Sequence, residues 1–374
     1  VHNNYGDSSM SKAAELAKSG DTLTNQPSGR KNMVINGAMQ VAQRATSKTG
    51  IGADGGAYNT LDRIDMFFNA TAGRLTMSQA TDGPSGFANC LKLDCTTADA
   101  SIAAGEVAIL QYGFEGQDLQ QLKKGTSDAE KVTVSFYVKG NANATYTLEL
   151  QDNDNSRHIA QTFNVTTSWN RVSLTFAGDT TGALDDDNAA SLRIQIYLQA
   201  GSTYTGGTFT SNTWADIVNG NTVKSDQTMF FDSTDRELFL TGLQMEIGSQ
   251  ATNFEHRSFS EELSLCQRYY WNTYNGAAIG SNTGQVNVIG RSAGGQNYET
   301  ISEGHFPTTM RAVPTMQIYN SITGTAGSIR GDSSDFATCV INFRGVNYYS
   351  FNMNNQAIGQ STFVSGNVTA DAEL

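Results

Sequence analysis

The sequence predicts an all-β protein: a jelly-roll-like antiparallel β-sandwich over residues 31–257, a short linking helix over 258–271, and a small antiparallel β domain over 272–374. A short helical run is expected within residues 1–30, ahead of the sandwich. Three observations lead there. Glycine is plentiful (37) and proline scarce (4), and only 38% of residues are apolar, as in many short strands joined by Gly, Asn, Asp and Ser turns. Two segments alternate cleanly. In Val132–Lys139, Val132, Val134, Phe136 and Val138 share one face, and in Ser191–Gln199, Leu192, Ile194, Ile196 and Leu198 do so, the period-two pattern of antiparallel strands with one dry face. Third, the pattern changes period once, between Leu238 and Trp271, and the strand pattern then restarts.

Taken in order, Ser11–Lys18 reads as a short helix, with Ser11 as its cap and Gly20 as its stop. Alone it is too short to be stable in water. Strands of the sandwich are expected at Met33–Val41, Asp62–Asn69, Leu91–Asp94, Glu106–Tyr112, Val132–Lys139, Tyr146–Gln151, Ile159–Val165, Arg171–Phe176, Ser191–Gln199, Thr228–Asp232 and Glu237–Ile247. Gly248-Ser249 ends the last of these. From Ser260, Leu263, Leu265-Cys266 and Tyr269-Tyr270 recur at helical spacing; Ser258 and Ser260 can cap, and Glu261-Glu262 suit the positive end of the helix dipole. Strands restart at Val286–Ile289, Tyr298–Phe306, Thr315–Tyr319, Phe336–Phe343, Tyr348–Asn352 and Thr362–Thr369. This last body is small, with a limited core. Tyr269, Tyr270, Trp271, Tyr274, Tyr348, Tyr349 and Phe351 look exposed in it, which suggests self-association.

The joint and the opening strand carry a resemblance. TGLQMEIGSQATNFEHRS…EELSLCQRYY, with KNMVINGAMQVAQR at Lys31–Arg44, resembles the "TGVQLEVG…ATPFEHRS…EL…CQRYY" and "NLLINGDFQVWQRG" segments of phage tail-fibre and related virion proteins. VSFYVKGN (Val134–Asn141), LELQDNDNSRHIAQTF (Leu148–Phe163) and the FPTTMRAVPT turn (Phe306–Thr315) fit as well, as does the ending Thr369–Leu374. The resemblance implies a bacteriophage virion protein, made in the host cytoplasm, whose carbohydrate-binding-like sandwich serves host attachment. It implies a tail fibre or appendage, attached to the particle through its first segment (Ala13, Leu16, Ala17), built as a homotrimer and in contact with other virion proteins and host surface glycan. A capsid-decorating, head-fibre or adaptor protein with purely structural contacts is the alternative; a glycan depolymerase would need a pair of carboxylates flanking a groove, and no pair stands out in the sequence.

Charge and motifs narrow the function. A net charge of -12 with no basic cluster argues against nucleic acid as a partner and against an anionic membrane surface. No apolar run nears the roughly 20 residues of a membrane span, so no membrane insertion is expected, and no signal peptide is legible. There is no HExxH, CxxC or P-loop, so no enzyme is expected. His2, His158, His256 and His305 are far apart; Glu255-His256-Arg257 reads as a structural tie between sandwich and helix. Cys90, Cys95, Cys266 and Cys339 read as buried thiols, with a Cys90–Cys95 disulfide as the alternative. No cofactor is expected, although Asp152–Asn155 and Asp185–Asn188 leave a structural Ca²⁺ open; hairpin turns explain both clusters as well. The candidate glycan-binding face is Tyr137, Lys139, Arg193, Gln195 and Tyr197, which all point away from the predicted core. Rings for sugar C–H faces and polar groups for hydroxyls are what such a site needs; a merely solvated face would look similar. Trp169 and Trp214, in loop-like segments, are further candidates.

Overall fold

The structure, a computed structural model, describes residues 30–274, 288–292, 298–331, 335–336, 339–354 and 362–374. The expected anchor residues Ala13, Leu16 and Ala17, and the start of the strand expected at 286, lie outside them.

The sandwich is built from β1 (Ser47–Ile51), β2 (Gly55–Tyr58), β3 (Asp65–Asn69), β4 (Arg74–Ala80), β5 (Cys90–Thr97), β6 (Val107–Glu115), β7 (Val132–Gly140), β8 (Ala144–Asp152), β9 (Arg157–Val165), β10 (Asn170–Phe176), β11 (Ala190–Ala200), β12 (Ala215–Asp216) and β13 (Glu237–Ile247). They form two antiparallel sheets, a six-stranded one in the order β1-β4-β5-β13-β7-β10 and a seven-stranded one in the order β12-β9-β8-β11-β6-β3-β2. The dry faces are the alternating sets read from sequence: Val134, Phe136 and Val138 of β7 meet Ile194, Ile196 and Leu198 of β11 in one buried cluster. The fold is an all-β, jelly-roll-like sandwich.

Two expected strands are not strands. Met33–Val41 is a run of turns, because Asn36 (φ 61°) and Met39 (φ 56°) take left-handed backbone. It nevertheless lies along β13, where Met33 N–H donates to Met245 O and Leu243 N–H to Gly37 O. Around Thr228–Asp232, the chain forms a short 3₁₀ turn at Phe230–Asp232 that buries Phe230 and Phe231. The strands β1, β2, β4 and β12 were not expected. β2 and β12 are short edge strands, and β1 and β2 are mostly exposed, so neither carries a two-faced pattern.

The helix spans Phe259–Gln267, shorter than the expected 258–271, and Ser258 caps it by accepting the Glu261 N–H. Tyr270–Asn272 then forms β14, the first strand of the second body. That body continues through β15 (Val288–Ser292), β16 (Tyr298–His305), β17 (Thr315–Asn320), β18 (Ile329–Gly331), β19 (Asp335–Phe336), β20 (Cys339–Arg344), β21 (Tyr348–Asn354) and β22 (Thr362–Asp371). β22 is its axis: β14 and β17 both pair with its last residues, hence on opposite edges, and β15 and β18 pair further back.

Most aromatics expected to be exposed are not. Tyr269, Tyr270, Tyr274, Tyr349 and Phe351 are buried within this one chain, Trp271 is half-buried, and only Tyr348 of the set is exposed. They pack in the second core and in the joint. The premise for self-association through these rings is therefore gone.

The joint is made by the residues that carried the resemblance. Glu255 accepts the Lys31 and Asn32 N–H groups at 2.8 and 2.7 Å. Arg257 donates to Val34 O (2.8 Å) and Asn32 O, and pairs with Glu262, which itself accepts the Asn36 N–H. On the far side of the helix, Arg268 and Tyr269 both donate to Glu115 of β6. The Arg44 and Arg63 guanidinium groups lie 3.7 and 3.6 Å from the ring centres of Tyr270 and Tyr269, a cation–π geometry.

Candidate functional site

A groove of about 520 Å³ crosses the outer face of the seven-stranded sheet. Register explains how it is built. Antiparallel neighbours place Gly56, Phe67, Ile109, Tyr197 and Thr147 in one row across β2, β3, β6, β11 and β8. The next row is Tyr58, Asp65, Gln111, Gln195 and Glu149, and a third holds Gly113, Arg193 and Gln151, continued by His158 of β9. Side chains two apart on a strand point to the same face, so all three rows project outward, opposite to Leu110, Ile194 and Leu148 in the core.

The first row is apolar. Ile109 and Tyr197 join Val107, Ala200 and Val223 in a small buried cluster, against which Phe67 and Tyr204 pack half-exposed. The other two rows are polar and bonded to one another. Arg193 donates to Gln111 Oε1 (2.8 Å), Gln195 to Gln151 Oε1 (2.5 Å), and the Tyr197 hydroxyl to Glu149 Oε2 (2.9 Å). Glu149 Oε1 lies 2.8 Å from His158 Nδ1. Burial pushes the Asp65 carboxyl up, against the pull of Arg193, and one of its oxygens is buried without a protein partner. Burial, and then the Glu149 carboxylate beside it, hold the Tyr197 phenol well above its ordinary pKa, so it remains a hydrogen-bond donor at neutral pH. Tyr204, Ile217, Asn219 and Thr222, from the long 201–223 connection, wall one side.

The five residues proposed from sequence do not form one site. Arg193, Gln195 and Tyr197 line the groove, but Tyr137 and Lys139 lie on β7 in the other sheet. Two sheets packed about 10 Å apart turn their outer faces in opposite directions. Tyr137 is covered by Phe87 (5.3 Å between ring centres), and Lys139 pairs with Asp82 and lies near the rings of Trp169 and Phe239. Trp169, in the connection before β10, thus lies by the other sheet, beside Lys139. Trp214 donates to Ala177 O and packs against the sandwich core.

Groove residues not singled out from sequence include Tyr58, Asp65, Phe67, Gln111, Glu149, Gln151 and Tyr204. Outward alternation in the predicted strands at Glu106–Tyr112 and Tyr146–Gln151 could have flagged Gln111, Glu149 and Gln151; only the strand order makes them neighbours.

The other candidates have structural partners. Lys124 places its ammonium 2.6 Å from Asp152 and 3.0 Å from Asp179, and Asp154 accepts the Asp185 N–H. A protein cation thus sits at the first acidic turn. Among the described residues no group of three or more His, Cys, Asp or Glu side chains is placed to hold a metal ion. The four cysteines are buried free thiols. Cys90 and Cys95 lie five residues apart on one extended strand, roughly 16 Å at about 3.3 Å per residue, too far for a disulfide. His256 is exposed, with its ring tilted against Phe87 and edge-on to Phe254.

No protein-family model and no curated protein matches the chain. Among solved structures it is similar to one described as CBM4, at 11% identity and a TM-score of 0.30, over 57% of this chain and 98% of that one. It is similar to the CBM22-1 xylan-binding domain of Xyn10C from Paenibacillus barcinonensis at 12% identity and 0.28, over 60% and 100%. Similarity to the enzymatically active domain of tailspike protein 4 from bacteriophage CBA120 is at 11% and 0.30, over 58% of this chain and 21% of that one.

Proposed function

We propose that the groove binds an extended glycan chain, and that the protein is a phage virion component, a tail fibre or appendage, which holds host surface glycan there. The observation that carries the binding reading is the in-register stacking of an apolar row beside two polar rows. Phe67 and Tyr204, packed on the buried cluster around Ile109, offer surfaces for the C–H faces of sugar rings, while Asp65, Gln111, Gln195, Gln151 and Arg193 offer acceptors and donors for hydroxyls. The virion reading rests on the sequence resemblance of the joint and the opening segment. Copies repeated around a particle would add avidity to a weak site through high effective concentration.

Binding without cleavage is part of the proposal. Asp65 and Glu149 are three strands apart in their row, about 14 Å at the strand spacing, whereas hydrolytic carboxylate pairs stand about 5–9.5 Å apart. Glu149 is also already engaged by Tyr197 and His158.

Affinity electrophoresis against four soluble polysaccharides tests the reading: a mixed-linkage β-glucan, a xylan, a β-1,4-galactan and a bacterial O-polysaccharide. Retardation by at least one is expected, weakened roughly tenfold or more by Phe67→Ala and by Arg193→Ala and unchanged by Tyr137→Ala. No retardation by any of the four, or retardation indifferent to both groove substitutions, would sink the groove as a glycan site. Antibody labelling of intact particles tests the placement: label at the tail tip or fibres is expected, and label over the capsid would overturn it.

A further inference from the structure

The groove's second wall comes from a different part of the chain. The segment that follows β22 runs from the second body's core, where Ala372 is buried, onto the sandwich. Arg311 donates to Ala372 O (2.7 Å) and Glu373 O (2.9 Å), Ala372 N–H donates to Tyr269 O, and Arg44 pairs with Asp371 and Glu373. Arg63, buried on β3's approach, pairs with Glu373 and donates to Gly113 O. Leu374 is set down at the end of this run: its carbonyl accepts from the Tyr58 hydroxyl at 3.1 Å, and it lines the groove. Gly113 makes its seat, since a Cβ there would stand 3.3 Å from Leu374 Cδ1. Gly113 is the cross-strand neighbour of Arg193, so Leu374 stands beside the third row, on the side away from Tyr204.

We infer that Leu374 is a ligand-contacting residue, and that the glycan site is composite, with the second body supplying one wall. The inference rests on the groove being the glycan site. Its chemistry is that of the opposite wall: an aliphatic side chain at the rim, flanking polar groups that bond hydroxyls, presents apolar surface to the edge of a sugar ring seated over Arg193. Because Asp371 and Glu373 hold the segment in place, the full wall exists only with the second body docked. A ligand that binds the docked arrangement better must stabilise it by mass action. The sandwich is then more than a freestanding binding module, and attachment reports on how the second body is held.

The experiment compares the full chain with Leu374→Ala, Leu374→Met and Arg193→Ala by affinity electrophoresis in the four polysaccharides named above. Arg193→Ala is expected to lose most of the retardation. Leu374→Ala is expected to bind roughly tenfold more weakly, as for loss of an apolar contact in a binding pocket, and Leu374→Met, which keeps the apolar volume, to bind like the unsubstituted protein. If Arg193→Ala loses binding while Leu374→Ala binds as well as the unsubstituted chain, the composite wall is overturned and the groove reading survives. If the unsubstituted chain binds none of the four, both are overturned.

Discussion

Gly242 shows how one residue sets a strand's pattern. Between Thr241, opposite Tyr137, and Gln244, opposite Ser135, β13 holds one residue more than β7. Gly242 takes φ 65° at this point, the left-handed first position of a glycine bulge. The extra residue switches the inward set from Leu238 and Leu240 to Leu243 and Met245, all buried. A Cβ at Gly242 would stand 2.8 Å from Phe87 Cζ and 3.0 Å from Tyr137. Gly242→Ala should therefore destabilise by about 1–3 kcal/mol from backbone strain alone, read as a lower urea midpoint with unchanged slope. Glu115 sets a pH dependence. Burial pushes its carboxyl up, but hydrogen bonds from Arg268 and Tyr269 outweigh this and leave it below the ordinary value. An acid depressed in the folded state gives stability above its unfolded pKa and loses it as pH falls through the folded one. Stability should fall from about pH 5 downward, and Glu115→Gln should flatten that fall in urea midpoints measured against pH.

At the scale of elements, the helix Phe259–Gln267 is less a spacer than a clamp. Its Glu262 and the preceding Arg257 are both buried, and together they hold the non-strand segment at Asn32–Asn36 by backbone hydrogen bonds. Asn36 completes the arrangement, since its side chain donates to Val41 O and Asp62 O and accepts from Val41 N–H. Arg257→Ala removes the donors and strands a buried carboxylate, so a loss of about 3–5 kcal/mol is expected. Ser258→Ala, which removes only the helix cap, should cost about 1 kcal/mol. Chemical denaturation of the two variants side by side checks the ranking; equal losses would mean that the clamp adds nothing beyond the cap.

Across the whole molecule, the sandwich and the second body have separate apolar cores, joined by a polar and aromatic seam. Arg63 is 1% exposed and pairs with Glu373, which is 4% exposed. Glu373→Ala leaves that guanidinium buried without its carboxylate, a change that typically costs about 3–5 kcal/mol. Calorimetry should show the second body melting earlier, with the sandwich transition less affected. A single transition, unchanged in position, would mean that the seam does not couple the two bodies.

Element type was largely legible in the sequence because period-two alternation is local: β13 was expected at Glu237–Ile247 and is found there, while β7 runs one residue further at its end and β11 one residue further at each end than expected. The segment at Met33–Val41 misled because its apolar residues do reach the core, through left-handed turns that a pattern of residue types does not reveal. Of the candidate site, Arg193, Gln195 and Tyr197 were legible as outward-facing residues of one strand. Their company was not. Which sheet a strand joins is decided by pairing between segments far apart in sequence, so only the tertiary structure could set Asp65, Gln111 and Glu149 beside Gln195 and turn Tyr137 and Lys139 to the opposite side. The same holds for the rim of the groove, where Leu374 meets Gly113 across 260 intervening positions only because Arg44, Arg63 and Arg311 hold its segment on the sandwich. Alternation is a property of neighbouring residues, while a binding site is a property of the sheet order that long-range hydrogen bonds impose.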